Sequence, residues 1–127
     1  MKAIILAGGY GTRISEETDT KPKPMVLLDD KPIIWHLMNS LSVQGVNEFI
    51  IAAGYLGNIL IDYIANLKTE WDIKVLDTGL NTLTGGRIKQ CIHFSLHFGK
   101  YDRHTYRYRY YRYRIPKNKA FRASLHF

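Results

Sequence analysis

Lys2-Ala3-Ile4-Ile5-Leu6-Ala7-Gly8-Gly9-Tyr10-Gly11-Thr12-Arg13, followed by Lys21-Pro22-Lys23-Pro24-Met25, decides how the rest of this chain is read. The apolar run from Lys2 to Leu6, with its adjacent isoleucines, suits a strand buried in a parallel sheet. Glycines begin where that strand should end. Gly8, Gly9 and Gly11 carry no Cβ, so successive backbone N–H groups there can come close to an anion. Arg13 adds a planar fork for phosphate oxygens and Lys23 a compact point charge. Pro22 and Pro24 stiffen the chain on either side of Lys23. The stretch reads as a phosphate cradle with two cations directed into it.

The spacing is neither of the two common glycine-rich patterns. A dinucleotide fingerprint needs a third glycine where Arg13 stands, and a Walker loop needs Gly-Lys-Ser/Thr. Beyond the loop the chain alternates strand and helix. Met25 to Leu28 is expected to be a short extended piece, and Asp29 or Asp30 to cap a helix with Pro32 in its first turn. Ile33, Ile34, Leu37, Met38 and Leu41 recur at helical spacing up to Gly45. Glu48 to Ala53 reads as a second buried strand, with Gly54-Tyr55 just past its end. Asn58 is placed to cap a helix carrying Ile59, Leu60, Tyr63, Ile64 and Leu67. Ile73 to Leu76 is a third strand, leading to the turn Asp77-Thr78-Gly79. Thr84 to Gln90 opens a further helix, with Gly85 and Gly86 at its N-terminus. The βαβαβα order predicts an α/β fold, a partial doubly wound, Rossmann-like and mostly parallel sheet.

Composition sets the outer bounds. At 127 residues the chain can bury one core. The formal charge of +7 is unevenly distributed. Residues 1–90 hold nine Lys and Arg against ten Asp and Glu, whereas residues 91–127 hold nine against Asp102 alone. The basicity therefore belongs to the tail. A single cysteine, Cys91, excludes an internal disulfide framework and fits a reducing, cytoplasmic compartment. No secretory segment is evident, and no stretch approaches the ~20 apolar residues of a membrane span.

Gly-Gly-x-Gly-Thr-Arg with the later Lys-Pro-Lys-Pro-Met-Val resembles the signature of sugar-phosphate nucleotidyltransferases, which join a nucleoside triphosphate to a sugar 1-phosphate and release pyrophosphate. Ser15-Glu16-Glu17-Thr18, Lys31-Pro32-Ile33-Ile34-Trp35-His36, Gly54-Tyr55-Leu56-Gly57 and Asp77-Thr78-Gly79 with Thr84-Gly85-Gly86-Arg87 narrow the likeness to the glucose-1-phosphate cytidylyltransferases. The likeness runs from Met1 to about Lys89. Family members have a longer excursion where Leu67 here meets Lys68 directly, and after Gln90 the resemblance stops. The expected organisation is a partial, truncated nucleotide-binding domain over 1–90 and a basic Tyr/Arg-rich, poorly ordered tail over 91–127.

The resemblance implies roles residue by residue. Leu6, Ala7, Gly8, Gly9, Gly11 and Thr12 hold the nucleotide, and Thr84, Gly85 and Gly86 face its base. Arg13 takes the triphosphate charge that leaves as pyrophosphate, and Lys23 stabilises the α-phosphoryl group. CTP and glucose 1-phosphate are the implied substrates, Mg2+ the implied cofactor and a homo-oligomer the implied assembly. The family's metal-binding aspartates and sugar-phosphate contacts come from segments without a counterpart here, so no metal ligand is assigned and turnover is not expected. Other residues have plainer readings: Trp35 and His36 as packing, Glu16, Glu17 and Asp19 as a solvated acidic loop, and Tyr10 as loop surface. Asp77 serves its own turn, and Arg87 is read as helix surface or a nucleotide-side contact.

The tail has two readings. From His104 to Arg114 tyrosine and arginine alternate, which could stack on bases and neutralise phosphates, as in a small basic nucleic-acid-binding protein. Alternatively, Arg-Tyr encoded as CGA-TAT becomes Asp-Ile one base later, so the segment is what an acidic-apolar alternation looks like out of frame. The second reading is preferred. Ile92, Phe94, Leu96 and Phe98 also alternate well enough for one edge strand.

Overall fold

The computed structural model describes residues 1–9, 20–97, 110–113 and 124–126, the last two segments as backbone only. Three parallel strands form its centre: β1 (Lys2–Ala7), β4 (Glu48–Ala53) and β5 (Asp72–Asp77). They lie in the order β1-β4-β5 and continue as β6 (Tyr110–Tyr113) and β7 (Ser124–His126), each antiparallel to its predecessor. Lys2 pairs with Glu48 and Glu48 with Asp72, and at the other end Ala7 pairs with Ala53 and Ala53 with Asp77. The three strands therefore end level with one another. Their following loops, starting at Gly8, Gly54 and Thr78, must emerge side by side.

Between β1 and β4 lie a 3-10 turn (Lys23–Met25), a hairpin of β2 (Leu27–Leu28) and β3 (Lys31–Pro32), and helix α1 (Ile33–Val43). The expected extended piece is thus confined to Leu27–Leu28. Asp29 and Asp30 do not cap α1: they form the two-residue hairpin turn, with Asp29 at φ 57°, a conformation aspartate tolerates. Pro32 occupies the N-cap position instead. At the other end of α1, Gly45 takes φ +91° and donates to Ser42 O (2.9 Å), while Val46 donates to Leu41 O (3.1 Å). This pair of bonds closes the last helical turn, and the positive φ explains the glycine.

Helix α2 (Gly57–Asn66) joins β4 to β5, and Leu56 at φ 51° precedes it. Asn58 lies inside the first turn rather than capping it. Helix α3 (Thr84–His97) follows β5 and passes through position 90. Ile92, Phe94 and Leu96 are therefore helical, not an edge strand. The 3.6-residue period wins because Arg87, Cys91 and Phe94 share one buried face. The expected poor order of the tail concerns residues lying mostly outside the described ones.

The helices cover opposite faces of the sheet. Ile5, Ala7, Phe49, Ile51, Ala53, Ile73 and Val75 point toward α1 and α2 and pack on Ile34, Met38, Leu60 and Ile64. Ile50, Ala52 and Leu76 point the other way and pack on Cys91 and Phe94 of α3. The two-residue period of the strands produces this division. Phe49 also meets Trp71 edge to face at 5.7 Å between ring centroids.

Candidate functional site at the strand ends

The level carboxyl ends of β1, β4 and β5 bring Gly8, Gly54 and Gly79 together, at the edge where open α/β sheets place ligands. Tyr55 N–H donates to Gly8 O at 3.4 Å, tying the first loop to the second. Thr78 ties the second to the third: its N–H (2.9 Å) and its hydroxyl (2.7 Å) both donate to Ala53 O. Asp77 Oδ1 accepts from Gly79 N–H at 3.0 Å, the turn-forming role expected for it. Thr82 Oγ1 donates back to Thr78 O, which also accepts from Gln90 Nε2. These bonds set the loop from Thr78 onward before any ligand arrives.

A cleft of about 300 Å³ opens on the α2 side of this edge, lined by Ala53, Gly54, Leu56, Gly57, Asn58, Ile61 and Asp77. Asp77 is the one carboxylate among those lining residues. Among the described residues no group of three or more His, Cys, Asp or Glu could hold a metal ion.

The residues expected to bind nucleotide fall into three groups. Ala7 and Gly8 are buried, Gly9 is exposed with open space around its Cα, and Leu6 is exposed with its side chain on the α3 side. Thr84, Gly85 and Gly86 form the start of α3, with Thr84 and Gly85 exposed and Gly85 free of close neighbours. Lys23 stands exposed on the 3-10 turn, which packs against α1 and α2 on the opposite side of the sheet from α3. Gly11, Thr12 and Arg13 lie outside the described residues. The structure thus brings Gly8 and the start of α3 together, while Lys23 stands on a turn on the other face of the sheet.

Arg87 makes the first of these connections. It is not helix surface: only 5% of it is accessible. Its Nη1 donates to Thr78 Oγ1 (2.5 Å) and Gly79 O (2.8 Å), with Ala53 O at 3.4 Å, and Nη2 reaches Leu80 O at 3.4 Å. The signal for its burial was in the sequence, since Arg87, Cys91 and Phe94 are spaced i, i+4, i+7. Trp35 and His36 serve packing as expected. Trp35 lies 6.5 Å from Trp71 between ring centroids, and His36 Nε2 is 2.9 Å from Leu28 O, linking α1 to the hairpin.

At the amino ends of the same strands lies a charge cluster that was not anticipated. Lys74 is 3% exposed and bonds Glu48 Oε1 (2.9 Å) and Asp72 Oδ2 (3.0 Å), and Lys2 stands 3.4 Å from Glu48. Burial disfavours the charge on Glu48, but hydrogen bonding and attraction from Lys74, reinforced by Lys2, hold its carboxyl below its ordinary value. The two carboxylates neutralise the buried Lys74 ammonium while remaining partly exposed themselves.

Residues 2–95 match the nucleotidyl transferase family, and the chain belongs to that family. Glucose-1-phosphate cytidylyltransferase of Salmonella typhimurium is 44% identical over 112 aligned positions, covering 71% of this chain and 44% of that protein. The alignment is longer than the stretch of this chain it takes in, as expected for a chain shortened internally. Mannose-1-phosphate guanylyltransferase 1 of Arabidopsis thaliana is 37% identical over 75 positions, covering 59% of this chain and 21% of that protein. A crystal structure of HddC from Yersinia pseudotuberculosis complexed with GMP-PN superimposes with a TM-score of 0.62 at 33% identity, covering 73% of this chain and 42% of that one. The chain thus spans less than half the length of these relatives. They lend no support to the nucleic-acid-binding reading of the tail.

Proposed function

We propose that this chain carries the nucleotide-binding part of a sugar-phosphate nucleotidyltransferase of the CDP-glucose-forming kind, and that by itself it binds CTP without turning it over. The observation that carries the reading is the level row of strand-end glycines, Gly8, Gly54 and Gly79, in a chain 44% identical to a glucose-1-phosphate cytidylyltransferase. In that reaction a phosphate oxygen of glucose 1-phosphate attacks the α-phosphorus of CTP in line and pyrophosphate leaves. Little proton transfer is needed, so the protein's work is alignment and charge neutralisation. Leu6, Ala7, Gly8, Gly9, Gly11 and Thr12 would hold the nucleotide, and Thr84, Gly85 and Gly86 would face its base. Arg13 and Lys23 would supply the two cations. Mg2+ would neutralise phosphate charge there, and the described residues hold no group of three or more His, Cys, Asp or Glu to bind it.

The same reading divides the chain into a binding unit over 1–90 and a basic tail, with α3 crossing that boundary to His97. A cytoplasmic location follows from the substrates, and no helix among the described residues is long and apolar enough to cross a membrane. Calorimetric titration of the full chain with CTP and Mg2+ tests the proposal. Heat of binding in the millimolar range or tighter, lost in Arg13→Ala, is the expected result. No heat at millimolar CTP, or equal binding by Arg13→Ala, defeats it. Pyrophosphate release from CTP and glucose 1-phosphate should stay at background, and sustained release would show that the chain turns over.

A further inference from the structure

We propose that Arg87 is a positioning residue that locks the three strand-end loops into one floor, and that Gly8 is a glycine to let this side chain pass. The inference rests on the nucleotide-binding reading only for its consequence. The contact itself stands on geometry.

A buried guanidinium is tolerated only when its donors are satisfied. Among the described residues Arg87 has no carboxylate within ion-pair distance, and its acceptors are oxygens of β4 and of the loop after β5. Thr78 relays the tie. Its hydroxyl gives its one proton to Ala53 O and accepts from Arg87 Nη1, so its donor and acceptor roles are both fixed. One cation therefore spans the end of β4 and the loop Thr78-Gly79-Leu80.

The first loop is held by space rather than by a hydrogen bond. A Cβ added to Gly8 would overlap Nη1 and stand 2.5 Å from Cζ and 3.0 Å from Nε of Arg87, and these are its three nearest atoms. Gly8 is not among the positive-φ glycines, so its backbone conformation is open to alanine. The guanidinium is what excludes the methyl group. At Gly54 a Cβ would meet Arg87 Nη1 at 2.6 Å, but also Gly8 O at 2.8 Å and Gly79 O at 2.9 Å, so backbone crowding forbids a side chain there in any case. Gly8 is thus the position at which the arginine's claim on space can be isolated. Its assignment to a phosphate cradle is not needed to explain why it is a glycine.

The test is a double-mutant cycle on the full chain, with Gly8→Ala, Arg87→Gln and the pair, read first as thermal unfolding midpoints. Gln is shorter than Arg and vacates the space under Gly8. Gly8→Ala should lower Tm by about 5 °C or more in the parent chain and by no more than about 2 °C beside Arg87→Gln. Equal drops in both backgrounds would overturn the inference. If Gly8→Ala alone gives no folded protein, recovery of the fold in the pair carries the same meaning, and failure of the pair as well counts against it. If Arg87→Gln does not fold, Arg87→Lys replaces it, since a flexible ammonium stem can move off the added methyl group.

The second readout is CTP affinity at a temperature where every variant is folded. Arg87→Lys keeps the charge but not the fork, and should weaken CTP binding about tenfold or more while far-UV circular dichroism is unchanged. Unaltered affinity would reduce Arg87 to a stabilising residue. Should the parent chain itself bind no CTP, the nucleotide reading fails, yet the Tm cycle still decides whether Gly8 and Arg87 are coupled.

Discussion

The two faces of the sheet are built to different standards. Under α1 and α2, apolar side chains of all three parallel strands meet two helices, and among the described residues no buried charged side chain lies in that cluster. Under α3, the apolar band is Ile50, Ala52, Leu76, Cys91 and Phe94, with Lys74 buried at one end and Arg87 at the other. Geometry accounts for much of the difference. A helix is about 10 Å across and strands lie about 4.8 Å apart, so one helix covers two strands. Helix α3 packs on β1 and β4 and reaches only Leu76 of β5, and Ile4 and Leu6 of β1 still stay at 37% and 44% exposure. Ile88, Ile92 and Leu96 on the helix, spaced i, i+4, i+8, stay exposed as well. The first face buries more of the apolar core, and the second carries buried charged groups at both strand ends.

The sharpest way to break this comparison is to delete one ring from each face. Phe49 and Phe94 are both fully buried. Phe49→Ala should cost about 4 kcal/mol in urea unfolding, because its many neighbours cannot close the cavity, and Phe94→Ala about 3 kcal/mol. An equal or reversed ranking would mean that the thin face carries as much of the fold as the thick one.

Acid should act on the charged end of the second face. Glu48 titrates below its ordinary value of 4.5, burial opposing its charge but Lys74 and Lys2 outweighing that effect. A depressed folded value contributes stability that is present above 4.5 and lost as pH falls through the lower folded value. Tm should therefore decline below about pH 4.5 less steeply in Glu48→Gln than in the parent chain. Parallel declines would show that the pair with Lys74 adds nothing to pH dependence.

Burial raises the Cys91 thiol to about 11 from its ordinary 9.0, so the folded state resists ionisation there. The associated stability is complete below pH 9 and is lost as pH rises toward 11. At pH 8 the native protein should react slowly with a thiol reagent and release one equivalent on denaturation. Fast native labelling would mean that α3 lifts off the sheet. The smallest effect is expected at the helix stripe outside the core: Ile92→Glu should change stability by no more than about 0.5 kcal/mol. A larger loss would show that the stripe packs against something in the folded protein.

Much of the architecture was legible because it depends on local period and punctuation. The apolar runs from Lys2, Glu48 and Ile73, the glycine ending α1 and the start of α3 at Thr84 each follow from a few neighbouring residues. The errors arose where two local signals competed. Asp29 could cap a helix or turn a hairpin, and the short strand pair beside it decided for the turn. Alternation at Ile92, Phe94 and Leu96 competed with a helical face already anchored by Arg87 and Cys91.

What the sequence alone determined is the three parallel strands and the helices between and after them, the glycine-rich strand ends and the family they belong to, since each is written in contiguous residues. Only the tertiary structure decided which faces are thick or thin, that Lys74 lies buried between Glu48 and Asp72, and that Arg87 runs beneath Gly8. Those facts depend on strand register, and register joins residues 79 positions apart in the chain, as at Gly8 and Arg87, through contacts that no local pattern encodes.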